Sequence, residues 1–179
     1  VITKPEDLAG VKLRTPGSKL FIETINAMGA SATPLPWGET FSAVQQGVVD
    51  GLEGSDFTNL GTKVYETGKK NVAVTNHFLG TCGVYISMDV WQQIPEMYQQ
   101  IIAEEFKVGA NEMVAYLKER HAQVIEELES NGVQFNEIDR AAFEARTKPL
   151  FQNLPGVNIE MYNQLQAELS KIRAGEVSD

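Results

Sequence analysis

Short apolar segments alternate with amphipathic ones in the first part of the chain. Residues 11–15 alternate between apolar and polar side chains, which predicts a β-strand with Arg14 on its polar face. The Pro-Gly pair that follows cannot continue a ladder and ends the strand. Ser18 then precedes residues 19–28, whose apolar side chains recur at helical spacing. We therefore expect a helix there with Ser18 as its N-cap.

The same alternation continues for two more rounds. Apolar and turn-forming residues predict a strand over 30–34, a helix over 38–46, a strand over 48–53 and a helix over 56–68. Strands that alternate with helices at this spacing are typical of βαβ units. The fold class is therefore α/β, with a mainly parallel sheet whose strand ends meet at one edge.

Residues 71–87 form a long apolar run that differs from the segments before it. The run exceeds the usual strand length of about 5 to 6 residues. Gly80 and Gly83 would let it bend, so we expect a crossover strand that passes between sheets and acts as a hinge. Cys82 lies within the run and is interpreted as packed rather than reactive.

The chain is mostly helical after residue 88. Pro95 separates a short helix from one predicted over 96–131, which the Asn-Gly pair at its end terminates. The apolar positions of this long helix do not keep a heptad, which favours a helix lying across two packing partners. A coiled coil is the structural alternative. A strand over 133–135, a helix from Asp139 to about Phe151 and a helix over 159–173 complete the prediction.

Composition narrows the class of function. The 179 residues are 42% hydrophobic and 22% charged, as in ordinary globular proteins. A net charge of -9 argues against a nucleic-acid partner, because phosphate contacts need clustered basic residues. One cysteine forms neither an internal disulfide nor a thiolate zinc site. The chain shows no membrane span and no signal sequence, which is expected of a mature form or an excised fragment.

Arg14 is the first candidate for ligand chemistry. It ends a strand just before a helix begins, which is where open α/β sheets bind ligands. A planar guanidinium at that position suits a carboxylate or a phosphate, which it grips through two hydrogen bonds. An ordinary solvated surface arginine is the alternative interpretation.

The remaining polar candidates are few. Thr75, Asn76 and His77 interrupt the apolar run, and they form either a pocket wall or a hydrogen-bonded structural network. Glu53 and Asp56 flank the end of the third strand, where paired carboxylates serve acid-base chemistry or hold a cation. The sequence contains no nucleophile elbow, phosphate-binding glycine loop or dinucleotide fingerprint. We therefore expect no catalytic residues, no metal site and no cofactor.

Four segments carry a resemblance to a known family: VKLRTPGS, GASATPLPWGETFSAVQQGVVDGLEG, YETGKKNVAVTNHFLG and SMDVWQQIPEMYQQII. In order and spacing they resemble the solute-binding proteins of tripartite ATP-independent periplasmic (TRAP) transporters, the DctP-like family. The resemblance runs from about residue 5 to the C-terminal helix. It implies a two-lobed periplasmic binding fold that closes on an organic acid.

The resemblance also implies how the chain is divided. Family members are roughly twice as long, so we expect the N-terminal half to be absent here. Residues 1–78 would belong to the second lobe, and residues 79–118 would supply the crossover strand and helices of the first lobe and the spanning helix. Residues 119–179 would return to the second lobe. An apolar surface left by the missing lobe predicts self-association.

Site residues follow from matching positions. The resemblance implies that Arg14 pairs with the ligand carboxylate and that Trp37, where many members have Phe, packs against the ligand. The cleft-lining residues are Glu53, Gly54, Ser55 and His77. Many sialic-acid-type members have Asn at the position of Gly54, so a ligand hydrogen bond is lost here or moves to Ser55 or Asp56.

The implied function is that of a non-enzymatic, periplasmic subunit that delivers a small organic acid to TRAP membrane subunits. An extracytoplasmic sensor or a protein-docking lobe that takes no part in transport is the alternative. A hydrolase that uses Glu53 and Asp56 is a third hypothesis.

Overall fold

The computed structural model describes residues 1–80, 83–154 and 157–175, apart from the side chain of residue 153. Short parallel strands alternate with helices, and a long helix follows them. The α/β class expected from the sequence is confirmed. Cys82, expected to be packed, lies outside the described residues.

The first βαβ unit follows the hydrophobic pattern closely. Strand β1 spans Lys12–Thr15, helix α1 spans Lys19–Met28 and strand β2 spans Ser31–Pro34. Gly29 ends α1 with a φ of 115°, a conformation that glycine adopts at little cost. Ser18 occupies the N-cap position in an extended conformation, but its side chain makes no capping hydrogen bond.

The next elements are shorter than their sequence pattern predicts. A 3-10 turn over Trp37–Glu39 leads into α2, Thr40–Gln45, and β3 comprises only Gly51–Leu52. Helix α3 spans Asp56–Thr62 rather than 56–68, because Lys63 takes a left-handed conformation with φ 54°. A separate 3-10 turn follows over Val64–Thr67.

Two parallel sheets result from this order. The first has the order β2-β1-β3, with Arg14 opposite Thr33 of β2 and Leu52 of β3. The second pairs β4, Asn71–Ala73, with β5, Gln134–Asn136. Because β1 is the central strand of the first sheet, the end of that strand holds Arg14 between two neighbours.

The predicted crossover strand over 71–87 is wrong. The ladder ends at Ala73, and residues 74–80 and 83–87 belong to no strand. A strand persists only where a neighbour accepts and donates its backbone hydrogen bonds. The described residues place no strand beside this segment beyond Asn136, and Leu79 and Tyr85 are exposed.

A single long helix, α5, spans Glu96–Ser130 after the short helix α4, Met88–Trp91. Gly132, with φ 83°, follows its end, as the Asn-Gly pair predicts. Only the C-terminal part of α5 is buried. Val124 and Leu128 pack with Tyr65 in a small core cluster.

Three helices follow β5 in the described part of the chain: α6, Arg140–Thr147; α7, Leu150–Asn153; and α8, Ile159–Arg173. Asp139 caps α6 by accepting a hydrogen bond from the amide of Ala142 at 3.1 Å, as its position predicts. Of the helices in the described residues, none combines the length and apolar character that a bilayer span requires.

Candidate ligand-binding site

Arg14 is buried at the end of β1, with 6% of its surface exposed. Its Nε and Nη2 atoms both donate to the backbone carbonyl of Leu35, at 3.0 and 2.9 Å. A charge this buried needs such partners, because removing a guanidinium from water is costly. The burial rules out the alternative of an ordinary solvated arginine.

Trp37 covers one face of the same guanidinium. Cζ of Arg14 lies 5.1 Å from the centroid of the Trp37 ring, within the range of a cation-π contact. Trp37 is itself 49% exposed. An aromatic ring that is half open to solvent beside a buried cation offers a ligand both an apolar surface and a charge.

Glu53 and His77 form a second polar pair next to Arg14. The amide of Glu53 donates to the carbonyl of Arg14 at 3.3 Å, which places Glu53 just past β3. Oε2 of Glu53 lies 3.9 Å from Nε2 of His77, and both side chains are largely buried. This distance is too long for a hydrogen bond.

Burial controls the protonation of this pair. Burial raises the pKa of Glu53, and the nearby Arg14 guanidinium opposes part of the rise. Burial lowers the pKa of His77, so its imidazole is neutral at pH 7. Nδ1 of His77 lies 2.7 Å from the hydroxyl of Thr75, whereas Nε2 is buried without a hydrogen-bond partner among the described residues. Nε2 of His77 is therefore the atom of this pair that makes no hydrogen bond within the described residues.

A cleft of about 340 Å³ opens between the two sheets. Glu53, Gly54, Ser55 and His77 all line it, together with apolar side chains from β1 and α1. Arg14 and Trp37 do not line this cleft. The predicted site residues therefore fall into two adjacent groups, an arginine-tryptophan pair and a cleft wall, and Glu53 joins the two groups.

Local packing explains two of the cleft residues. Ser55 is the N-cap of α3; its hydroxyl accepts from the amide of Thr58 at 3.2 Å and donates to Oγ1 of Thr58 at 3.0 Å. A Cβ added to Gly54 would lie 3.0 Å from Cγ2 of Thr58. The methyl group of Thr58 thus occupies part of the space that an asparagine at position 54 would need.

Glu53 and Asp56 each lie next to a different histidine. Asp56 turns toward the long helix, where its Oδ2 lies 3.2 Å from Nε2 of His121. No cluster of three or more His, Cys, Asp or Glu with the geometry of a metal site occurs in the part of the chain that the structure describes. The contacts that the structure gives these two carboxylates are with His77 and His121, and this arrangement does not favour an acid-base site that uses both carboxylates together.

Sequence reasoning missed the carbonyl of Leu35 and the hydroxyl of Thr75. A backbone carbonyl has no sequence signature, although the flanking prolines in Pro34-Leu35-Pro36 indicate a segment of fixed conformation. Thr75 lies two residues from His77, and the sequence marks it only as one of three polar residues that interrupt the apolar run. Its pairing with Nδ1 depends on a local turn, in which the Thr75 amide donates to the carbonyl of Ala73 at 2.8 Å.

Comparison with solved structures gives the same fold. A TRAP periplasmic solute-binding protein from Desulfovibrio salexigens, in complex with diglycerolphosphate, superposes with a TM-score of 0.92 at 61% identity, over 98% of this chain and 57% of that one. A second, from Fusobacterium nucleatum with bound sn-glycerol 3-phosphate, gives a TM-score of 0.90 at 37% identity, over 97% of this chain and 56% of that one.

Curated proteins of similar sequence are solute-binding proteins, as the similar solved structures are. The sialic acid-binding periplasmic protein of Vibrio cholerae is 30% identical over 147 residues, 82% of this chain and 46% of its own. The chain spans about half the length of the curated relatives it matches. These relatives are solute-binding proteins rather than enzymes. The family model described as bacterial extracellular solute-binding protein, family 7 (DctP), matches residues 1–176, and the chain therefore belongs to this family of solute-binding proteins.

Proposed function

We propose that this chain forms part of a TRAP-type solute-binding subunit whose ligand is a small organic anion held by Arg14. The observation that carries the proposal is a buried guanidinium that uses its Nε and Nη2 on the Leu35 carbonyl. Nη1 makes no hydrogen bond or ion pair with residues 1–80, 83–154 or 157–175. A buried cation with an unused donor is suited to an acid group that enters from solvent.

A carboxylate is the first ligand class that we propose. It matches the two-donor edge of a guanidinium in size and in planarity. The sialic acid-binding relative supports this class, because sialic acids are sugar carboxylates. Glu53, an acceptor when ionised, would take a hydroxyl group of such a ligand where the cleft meets Arg14.

A phosphate ester of glycerol is a second candidate class. The observation that favours it is the 61% identity to the protein solved with diglycerolphosphate, supported by the 37% identical protein with sn-glycerol 3-phosphate. A guanidinium binds a phosphate through the same edge that it offers a carboxylate. Both classes present an anionic group to Arg14 and hydroxyl groups to the cleft wall.

Isothermal titration calorimetry on the full-length protein that contains this chain distinguishes these classes. The titrants are sialic acid, sn-glycerol 3-phosphate and diglycerolphosphate. Arg14→Ala should weaken binding of the best titrant by more than tenfold, because a charge-assisted pair contributes more than about 1.4 kcal/mol. Arg120→Ala, which removes a partly exposed arginine of α5, is the matched control. An affinity within twofold of wild type in Arg14→Ala would show that Arg14 does not hold the ligand.

We further propose that the protein works in the periplasm and delivers its ligand to TRAP membrane subunits. The family match and the periplasmic relatives support this location and these partners. Uptake of the best titrant into cells that express the full-length protein with its cognate membrane subunits should be lost in Arg14→Ala. Normal uptake by that variant, at equal protein level in the periplasm, would contradict the assigned role.

We propose the domain division 1–78, 79–118 and 119–179 on the basis of packing. Val124 and Leu128 pack against the first segment through Tyr65. Segment 79–118 instead exposes most of its large apolar side chains. Hydrogen exchange of the isolated chain should therefore protect the amides of 119–130 more than those of 96–117. Equal protection along the helix would contradict this division.

The same exposed side chains are the basis for proposing self-association of the isolated chain. Phe106, Val114 and Leu117 lie on α5 with more than a third of their surface in solvent. Apolar side chains exposed in this way favour contact between molecules. Sedimentation velocity should show dimers or larger species, which Val114→Glu and Leu117→Glu would reduce. A monomer at every concentration would contradict the proposal.

A further inference from the structure

We propose that the backbone carbonyl of Leu35 is a positioning group, which fixes the Arg14 guanidinium before the ligand arrives and leaves it one edge for the acid group. That edge consists of Nη1 and the remaining hydrogen of Nη2. The inference rests on the proposed function, because it takes Arg14 to be the residue that binds the anion. Beyond the proposed function, the inference specifies how the guanidinium is oriented and identifies the Leu35 carbonyl as the group that sets this orientation.

Two contacts to one oxygen fix the plane of the guanidinium. Nε and Nη2 of Arg14 lie 3.0 and 2.9 Å from the Leu35 oxygen, so one full edge of the plane is occupied. A guanidinium is rigid and planar, and holding two of its nitrogens determines the direction of the third. The opposite edge is the part of Arg14 that remains for an anion.

The Leu35 carbonyl is itself held in place. The amide of Leu35 donates to the carbonyl of Thr15 at 3.1 Å, which extends the pairing of β2 with β1 by one residue. Pro36 has φ -54° and ψ 146°, and a following proline restricts Leu35 to extended conformations. The hydrogen bond of the Leu35 amide and the restriction imposed by Pro36 thus together fix the direction of the Leu35 carbonyl.

Trp37 completes the arrangement from the same segment. Its ring lies 5.1 Å from Cζ of Arg14 and covers one face of the guanidinium. The segment 35–37 therefore controls both an edge and a face of the cation. A ligand acid group must approach in the guanidinium plane, at the free edge, which suits the paired oxygens of a carboxylate or a phosphate.

Fixing the guanidinium in advance has two measurable consequences. A lysine at position 14 cannot satisfy the carbonyl and the ligand with the same geometry, since an ammonium is a point charge without an edge. A more mobile Leu35 carbonyl would leave Arg14 in place but add an ordering cost to binding. Pro36→Ala produces the second situation, because alanine removes the restriction on Leu35.

The experiment uses the full-length protein with sialic acid, sn-glycerol 3-phosphate and diglycerolphosphate as calorimetric probes. We expect Pro36→Ala to weaken binding about threefold to tenfold and Arg14→Lys to weaken it more than about tenfold, as Arg14→Ala does. Pro95→Ala, at an exposed proline before α5, is the matched control and should bind within about twofold of wild type.

A second measurement tests whether the Arg14 guanidinium is held in place in the absence of any ligand. The Arg14 Nε–H signal in a nitrogen-proton spectrum, assigned by its loss in Arg14→Lys, should exchange slowly with solvent in the wild type. It should exchange faster in Pro36→Ala, while the thermal midpoint of that variant stays close to wild type. A purely structural role for Pro36 would change the midpoint and leave the exchange rate of this proton unchanged.

The outcomes separate this proposal from the one on which it rests. Fast exchange of the Nε–H in the ligand-free wild type overturns the positioning role, whether or not a probe binds and whether or not Pro36→Ala folds. Wild-type affinity in Arg14→Lys also overturns it. If Arg14→Ala binds every probe normally while the Nε–H stays protected, the assigned anion contact fails and the Leu35 contact is only structural.

Discussion

Nε2 of His77 lies 3.9 Å from Oε2 of Glu53, which is too long for a hydrogen bond, and this nitrogen has no hydrogen-bond partner among the described residues. Each is displaced by burial toward its neutral form, since burial lowers the pKa of His77 and raises the pKa of Glu53. The two residues come from segments 24 positions apart. Through these two residues of the cleft wall, a change in pH should affect the stability of the folded state in opposite directions.

His77 should make the folded state less stable as the pH falls. Burial lowers the folded pKa of His77 below the ordinary value of a histidine, so the unfolded chain binds the proton more readily. Stability should therefore decrease from pH 6.5 downward, until the folded pKa is reached. Thermal midpoints between pH 7.5 and 6 should fall less in His77→Gln than in wild type.

The second histidine provides the control for that measurement. His121 is mostly exposed, with Nε2 3.2 Å from Oδ2 of Asp56, and His121→Gln removes the other imidazole of the sequence while leaving His77 in place. If His121→Gln flattened the profile and His77→Gln did not, the buried imidazole would not be the titrating group.

Glu53 should have the opposite effect. Burial raises the folded pKa of Glu53 above the ordinary value of a glutamate, so its contribution to stability is greatest at low pH and is lost as the pH rises through the folded pKa. Glu53→Gln should unfold at a higher temperature than wild type at pH 7.5, and this advantage should disappear near pH 4. Glu104→Gln, an exposed substitution on α5, is the control and should show no such crossover. A lower midpoint for Glu53→Gln at pH 7.5 would contradict the dominance of burial.

Gly54 and Thr58 should be energetically coupled. Gly54→Ala would place a Cβ 3.0 Å from Cγ2 of Thr58, and relieving this contact should cost about 1 kcal/mol of unfolding free energy. Thr58→Ser keeps the hydroxyl that bonds to Ser55 and removes the methyl group. A double-mutant cycle by chemical denaturation should show that Gly54→Ala costs less in the serine background. Strict additivity of the two changes would contradict a direct contact.

The two parts of α5 should respond differently to truncation of their leucines. Leu128 is fully buried, and Leu128→Ala should cost about 2 to 5 kcal/mol. Leu117, three turns earlier on the same helix, is 38% exposed in this chain, and Leu117→Ala should cost about 0.5 kcal/mol or less. Urea denaturation of the chain measures both values. Equal costs would show that the first part of the helix is also packed.

Sequence alone determined the elements whose physics is local. The apolar repeat over 19–28 and the glycine after it gave the bounds of α1, and Asn131-Gly132 gave the end of α5, because helix spacing and left-handed caps are properties of neighbouring residues. Strand lengths were less well predicted. β3 and β4 are short because a strand extends only as far as its neighbour, and neighbours come from distant parts of the chain.

In the site, too, the sequence determined some features and the tertiary structure decided others. Residue types and family motifs identified Arg14, Trp37, Glu53 and His77 as candidates before any geometry was known. Only the tertiary structure decided that the Leu35 carbonyl occupies one edge of Arg14 and that Glu53 stands 3.9 Å from His77. These relationships depend on which strand ends meet and how deeply they are buried. The sequence thus determined which groups are available, and packing decided their direction, their protonation and their partners.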